Sequence, residues 1–359
     1  MTQSARIAAE FKAPLYVAWE LTHRCNARCL HCYSASGPDA STAGELSTEE
    51  GLGVIDQLAD AGLLVLAFSG GEPMMRRDWQ VLAEHALERG LSLNIASNGS
   101  CVTPKTADTL ARLGVTSFTV SLDSHEPGLH DHFRQTPGLF VRATRAVRLL
   151  AERGLRVVVS FTPTRLNWHH GPQVVALAAE LGASAANMSE YVPAGRGSLD
   201  LALPPDDLRA VLAQWIGLRE EYRGRMDVLW HDCRVGMLVS DEERRRYVGC
   251  GAGRLVARIL PDGTVTPCVF LPTPIGGFRT TTFREMWASS PLLRQFRERQ
   301  GHIQGNCGGC EHLDTCGGCR AVAYAYSNGD PCAGDPHCWV TRDARVQLVQ
   351  LARGEALPV

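Results

Sequence analysis

The chain has no excess of either charge: 36 Lys and Arg stand against 38 Asp and Glu in 359 residues, a net charge of −2. With no basic block either, a nucleic-acid surface is excluded as its main partner. It has no apolar run of membrane-spanning length, and the opening MTQSARIAAEFKAP has no apolar core of an export signal. No low-complexity linker and no solenoid repeat is present. These absences predict a soluble, cytoplasmic protein with no membrane partner. Hydrophobic residues make up 45% and charged residues 21%, enough to bury a core. The length suits two or three domains of about 150 residues.

Cysteine is scarce in the middle and dense at both ends. Cys25, Cys29 and Cys32 cluster early, Cys101 stands alone, and nine more lie between Cys233 and Cys338. The total of 13 is odd, and nothing marks the chain for export. Clustered thiols in a reducing compartment read as metal ligands rather than disulfides.

Between these clusters, β-rich runs alternate with helical spacing. Strands are expected at 15–21, 63–69, 91–97, 117–122, 156–162 and 185–191. Helices are expected at 46–61, 78–89, 104–113, 139–153, 172–181 and 205–221, five of them ending near Gly62, Gly90, Gly114, Gly154 and Gly182. Six βα units imply an α/β fold with a parallel sheet. Beyond residue 222 the chain turns irregular, with a hairpin expected over 259–265 around Pro261-Asp262-Gly263.

Cys25, Cys29 and Cys32 form a C-x3-C-x2-C triplet directly after the first strand and before Tyr33. Three thiolates can hold three irons of a [4Fe–4S] cubane and leave the fourth open. Open metal positions are where chemistry takes place. The structural alternative is a Cys3His zinc knuckle using His23 or His31. Later strand ends carry Ser69-Gly70-Gly71-Glu72-Pro73, Ser97-Asn98-Gly99 and Ser121-Leu122-Asp123, with Arg134 following. Sites of βα barrels gather at such ends. Paired glycines let backbone approach a ligand, and Glu72 can accept from an ammonium.

The triplet, the aromatic after it and the strand-end motifs in this order resemble the radical S-adenosylmethionine (radical SAM) superfamily over about residues 15–200. The resemblance implies a partial (β/α)6 TIM-like barrel. It implies a catalytic [4Fe–4S] cluster on Cys25, Cys29 and Cys32, with S-adenosylmethionine chelated at the open iron. Tyr33, Gly70, Gly71, Glu72, Pro73, Ser97, Asn98, Ser121, Asp123 and Arg134 are the cofactor-binding residues it implies. Reductive cleavage would then give a 5′-deoxyadenosyl radical that abstracts substrate hydrogen. The electron would come from a ferredoxin- or flavodoxin-type donor. Ser124 stands where the family usually has Gly.

The later cysteines run Cys250-x12-Gly263-x4-Cys268, Cys307-x2-Cys310-x5-Cys316-x2-Cys319, then Cys338. Zinc ribbons space their pairs by about 15–20 residues, not five. The pattern resembles the SPASM extension of radical enzymes, with C-x2-C where that family usually has C-x3-C. It implies two auxiliary [4Fe–4S] clusters: a first on Cys250, Cys268 and Cys319, a second on Cys307, Cys310, Cys316 and Cys338. One iron is left over for Cys233, Cys332 or a substrate group. The expected organisation is a barrel over 15–222, a linker over 223–249, a SPASM domain over 250–340, and a helix (341–351) with a tail to 359.

Glu20-Leu21-Thr22-His23-Arg24-Cys25 and Cys250-Gly251-Ala252-Gly253-Arg254 resemble peptide-modifying maturases of the mycofactocin and pyrroloquinoline quinone pathways. The runs 191–197 and 330–338 resemble haem-pathway radical enzymes, which act on tetrapyrrole propionates. Peptide modification is the leading expectation, a tetrapyrrole side chain the alternative, and a non-catalytic iron–sulfur protein the remote one. Only 14 residues precede the first strand, so a peptide substrate is expected with a separate leader-binding protein or none. Substrate-facing candidates are Glu190, Tyr191, Arg196 and the run 230–233. Arg196 suits a carboxylate, or else a surface turn. His169 and His170 read as loop residues, Cys101 as an ordinary buried thiol, and Glu20 as a buried acid in need of a partner.

Overall fold

The computed structural model describes residues 13–341. One sheet organises them. Its strands are β1 (Tyr16–Thr22), β2 (Val65–Gly70), β3 (Ser92–Ser97), β4 (Ser117–Ser121), β5 (Val157–Phe161), β6 (Ala185–Ser189), β7 (Asp227–His231), β8 (Val256–Ile259), β9 (Thr264–Thr266) and β10 (Gly276–Gly277). Their order is β10-β9-β8-β1-β2-β3-β4-β5-β6-β7. From β8 through β1 to β7 every pairing is parallel; the β8–β9 and β9–β10 pairings are antiparallel. Helices α1 (Thr48–Ala61), α2 (Trp79–Glu88), α3 (Pro104–Leu113), α4 (Pro127–Arg134), α5 (Leu139–Ala151), α6 (Gly171–Glu180) and α7 (Pro205–Glu221) return the chain between strands. This is a parallel, partial βα barrel. Among the described residues no helix is long and apolar enough to cross a membrane.

Local sequence explains the elements. Ser47 and Glu50 close a capping box at the start of α1, Val54, Ile55 and Leu58 bury its inner face, and Gly62 ends it in the left-handed region. Along β3 and β4, Leu93, Ile95, Phe118 and Val120 are fully buried, whereas the alternate residues Asn94, Thr119 and Ser121 line a cavity inside the barrel. Ser160, Asn187 and Ser189 continue this small polar lining on β5 and β6. Period-two alternation therefore puts the apolar core outside the strands and leaves the interior free for a ligand.

The structure adds two parallel strands to the expected six. β7 lies inside the stretch 223–249 expected as a linker and pairs with β6. β8 lies inside the Cys-rich stretch and pairs with β1 through Tyr16↔Val256 to Trp19↔Ile259. β7 is half exposed, buries only Val228, and flanks its short apolar run with Asp227 and His231. The expected hairpin is the β8–β9 pair, with Ile259 opposite Val265. The helix expected at 341–351 and the tail lie beyond the described residues.

The β8–β1 seam is charged. Arg258 reaches Glu20 at 2.8 Å, and Glu20 is fully buried. Glu20 also meets His23 at 3.1 Å. The buried acid thus finds its partner 238 positions away.

The rest of the C-terminal region has little regular structure, and buried arginines take over the role of ladders. Arg299 donates to the carbonyls of Leu313, Asp314, Val248 and Cys250. Arg320 donates to those of Gly318, Pro331 and Ala333. Both are almost fully buried. The guanidinium offers five fixed donors, enough to satisfy several strandless carbonyls at once.

Candidate active site and iron–sulfur centres

The loop after β1 is gripped from two sides. From β2, the Gly71 amide donates to Thr22 O at 2.8 Å and the Glu72 amide to Arg24 O at 2.9 Å. A Cβ on Gly71 would run into the Arg24 carbonyl, and one on Gly70 would lie 2.5 Å from Thr22 O. The paired glycines thus serve a close approach to the cysteine loop, besides lining the cavity. From the segment after β6, Gly195 sits at φ 59 with no room for a Cβ against the Cys32 and Tyr33 carbonyls. Next to it, the Arg196 amide donates to Cys32 O at 2.9 Å and Arg196 Nε to Cys29 O at 3.1 Å.

Cys25 and Cys29 are buried and Cys32 is half-buried. Each thiol faces a donor: Asn98 Nδ2 lies 3.8 Å from Cys25 Sγ, Arg134 Nη1 3.7 Å from Cys29 Sγ, and Ser34 Oγ 3.4 Å from Cys32 Sγ. Among the described residues no cysteine belongs to a group of three metal-type ligands within 4.8 Å of one another. Tetrahedral zinc with bonds of about 2.3 Å would hold its sulfurs about 3.8 Å apart. The three thiols are therefore not gathered as closely as a zinc site requires. His23 is engaged with Glu20, and His31 stacks on Phe133 at 4.3 Å. Burial pushes the Cys25 thiol up to about 12, so iron must displace its proton on binding.

One cavity of about 650 Å³ joins the three thiols to most of the expected cofactor residues: Tyr33, Gly70, Gly71, Ser97, Asn98, Ser121 and Arg134. Glu72, Pro73 and Asp123 stand behind it. Glu72 is fully buried and accepts from Ser97 Oγ at 2.9 Å and the Asn98 amide at 3.0 Å. Burial pushes its carboxyl up to about 7. Asp123 accepts from Arg134 Nε at 2.5 Å and the Thr162 amide at 3.3 Å. Pro73 is buried and starts a 3-10 turn. Glu72 and Asp123 thus reach the cavity through the residues they hold.

The cavity is also lined by Glu190, Tyr191, Arg196, Trp230 and His231, all expected to face substrate. Arg196 Nη2 is buried without a hydrogen-bond partner. Asp232 turns away from the cavity. It joins Glu190 and Asp335 around the buried Arg234, at 2.9 Å and 3.4 Å for Asp232 and Asp335. Burial beside these two acids pushes Glu190 up to about 8. Asp335 also accepts from the Cys319 amide at 2.8 Å. A short polar chain thus links the cavity wall to the Cys-rich region.

In that region Cys307, Cys310, Cys316 and Cys338 line one pocket. Cys250 is the electrostatic neighbour of both Cys268 and Cys319. Both sets fit soft iron sites. Two contacts escaped sequence reading. Arg258 lies 5.5 Å over the Tyr33 ring, and Phe270 meets that ring edge-on at 5.4 Å. Their only signal was the need of Glu20 for a cation. Outside the cavity, His170 meets His125 at 3.0 Å, so it is more than a loop residue. Cys101 is half-buried beside Ser100.

The radical SAM superfamily profile matches residues 19–170, and that of the SPASM iron–sulfur cluster-binding domain matches residues 250–311. The chain is 32% identical over 339 residues to the AdoMet-dependent heme synthase of Methanosarcina barkeri, covering 91% of this chain and 96% of that protein. It is 33% identical over 336 residues to the mycofactocin maturase MftC of Mycobacterium tuberculosis, covering 91% and 83%. The crystal structure of Streptococcus suis SuiB bound to S-adenosylmethionine superposes with a TM-score of 0.76 at 18% identity, over 92% of this chain and 78% of that one.

Proposed function

The chain belongs to the radical SAM superfamily, in its SPASM-bearing branch, and within it we propose an enzyme that modifies a carboxylate-bearing side chain of a tetrapyrrole by hydrogen abstraction. As a member it uses [4Fe–4S] clusters and S-adenosylmethionine, which when bound supply a 5′-deoxyadenosyl radical. Cys25, Cys29 and Cys32 hold the catalytic cluster. Asn98 and Arg134 donate toward its thiolates. Glu72 fixes Ser97 and the Asn98 amide, and Asp123 fixes Arg134, so the cofactor meets prealigned groups. Tyr33, Gly70, Gly71 and Ser121 complete its walls, and Pro73 shapes the turn beside Glu72. Cys250, Cys268 and Cys319 hold one auxiliary cluster; Cys307, Cys310, Cys316 and Cys338 hold the other. An external donor of ferredoxin or flavodoxin type, in a reducing cytoplasm, supplies the electron.

The observation that carries the substrate class is Arg196. Its Nε is spent on Cys29 O, while Nη2 is buried in the cavity wall with no partner. A buried guanidinium nitrogen left bare calls for an acceptor, and a carboxylate arm supplies one. The cavity size is that of a small-molecule site, so an arm enters rather than a folded domain. The near-complete coverage of a heme synthase supports the same reading.

The similarity to a mycofactocin maturase favours a second reading, a peptide substrate, with a separate leader-binding protein where a leader is used. The test is anaerobic turnover with S-adenosylmethionine and dithionite, offering iron-coproporphyrin III or a short carboxyl-terminal peptide. Expected is 5′-deoxyadenosine above the uncoupled background, and a mass change, with the porphyrin. Arg196→Ala raises its KM at least tenfold. Turnover of the peptide alone would overturn the tetrapyrrole reading.

A further inference from the structure

We propose that His125, Glu126 and His170 form a binding site for a divalent cation of the zinc class, apart from the iron–sulfur centres. His125 and Glu126 stand between β4 and α4, and His170 closes the 3-10 turn Trp168–His170 that leads from β5 into α6. One ligand atom from each of the three lies within 4.8 Å of those from the other two. Among the described residues no other three His, Cys, Asp or Glu side chains meet so closely. None of the three lines the cavity that joins Cys25, Cys29 and Cys32.

The two rings point the same nitrogen at each other. His170 Nδ1 lies 3.0 Å from His125 Nδ1 and 3.0 Å from Ser124 Oγ. A ring nitrogen carries one hydrogen or one lone pair, so a single tautomer satisfies only one of these contacts in full. A cation between the rings takes both lone pairs at once. Nitrogens bound to one tetrahedral zinc lie about 3.3 Å apart, close to the spacing already present. Glu126 Oε1 is 3.8 Å from His125 Nε2, on a carboxylate that is mostly exposed and free to turn inward. It brings the negative charge that two neutral imidazoles lack. Ser124 is fully buried, and its Oγ accepts from the Glu126 amide at 2.8 Å. That bond fixes the loop carrying two of the three ligands, and a glycine at this position has no hydroxyl to make it.

Two imidazoles and a carboxylate suit zinc and its late first-row neighbours, whereas calcium and magnesium take sets of oxygens. The set holds no thiol, which separates it from the cluster sites. Its place in the fold gives the cation a role. The loops after β4 and β5 already meet at Asp123. The Thr162 amide donates to the Asp123 carboxylate, and Asn167 Nδ2 donates to the carbonyls of Asp123 and Thr162. Asp123 in turn holds Arg134. A cation on His125, Glu126 and His170 ties the same two loops together a few residues further out. It is a clasp behind the cofactor pocket and takes no part in the chemistry.

The test uses the untagged holoenzyme with its clusters reconstituted and loose metal removed, titrated anaerobically with zinc chloride. Expected is about one zinc per chain beyond the cluster iron, with a zinc-edge X-ray absorption shell of nitrogen and oxygen at about 2.0–2.1 Å. His125→Ala and His170→Ala should each weaken binding about tenfold or more, and Glu126→Gln about threefold. His169→Ala, beside the pair but outside the set, should bind as wild type does. Glu126→Gln alters an exposed side chain, so it carries the comparison if a histidine variant fails to keep its iron. A zinc shell of sulfur at about 2.3 Å means capture by cysteines and overturns the proposal. So does the absence of bound zinc, wild-type affinity in any of the three ligand variants, or an equal loss in His169→Ala.

Discussion

In the barrel, the loop carrying Cys25, Cys29 and Cys32 hangs between the ends of β2 and β6, gripped by backbone amides at Gly71, Glu72 and Arg196. In the region from Cys250 onward the described strands are the short β8, β9 and β10, and Arg299 and Arg320 reach out to seven backbone carbonyls in all. The first region has its shape before metal arrives, because a parallel sheet and an apolar shell enforce it. The second is braced by a few long cations, and the cluster ligation proposed for its thiols would add to that bracing. The contrast separates a scaffold held by a sheet from one held by side chains reaching to backbone.

The comparison breaks most visibly if the first loop is emptied. Changing Cys25, Cys29 and Cys32 to Ala should abolish 5′-deoxyadenosine formation, lower iron by about four per chain, and leave the circular dichroism of the barrel intact. If cleavage of S-adenosylmethionine survives, the catalytic cluster sits elsewhere. Next in size is Arg299→Ala, which strips four carbonyls of their donor. A loss of about 3 kcal/mol or more is expected, read as protease sensitivity after residue 248 with the barrel still protected. Equal sensitivity of the two regions would end the distinction.

Gly71→Ala sharpens the barrel side. The added Cβ must push the Arg24 carbonyl away and carry the cysteine loop with it. A tenfold or greater fall in cleavage, about 1.4 kcal/mol, should appear with little change in melting. The smallest effect is acid sensitivity at His130. It accepts from the Asp123 amide at 3.1 Å, and burial next to Arg134 pulls it down to about 3. The unfolded chain takes up this proton near pH 6.5 and the folded chain does not, so this stability is present above that pH and is lost as pH falls toward 3. Between pH 8 and pH 6 the stability gap between wild type and His130→Gln should narrow by about 0.8 kcal/mol. A gap that stays constant would mean that His130 takes up its proton equally in the folded and the unfolded chain.

The six barrel strands were readable to within about two residues because apolar alternation and closing glycines are local signals. β7 and β8 were not: β7 is half exposed and follows no regular βα signal, and β8 is four residues long and finds β1 from the other end of the chain. The triplet and strand-end motifs were legible as spacing. Their division of labour was not: that Glu72 works through Ser97 and Asn98, or that Gly71 clears a path for a carbonyl, depends on which backbone lies opposite. Arg196 shows the same limit. As sequence it reads as an anion anchor or as a turn; in the fold one nitrogen braces Cys29 while another stays free. Glu20 gave the opposite lesson. A buried acid announces a missing cation without saying where it comes from, and Arg258 supplied it from the other end of the chain.

The pairing of β8 with β1 has a consequence for timing. β1 runs straight into the loop of the first three cysteines, and β8 lies between Cys250 and Cys268. Their register, and not a flexible tether, sets the span between the two sulfur centres. Electron tunnelling slows steeply with each added ångström. On the proposed cluster assignment, the seam of Glu20 and Arg258 would act as a spacer, holding constant the time an electron needs to leave the cavity.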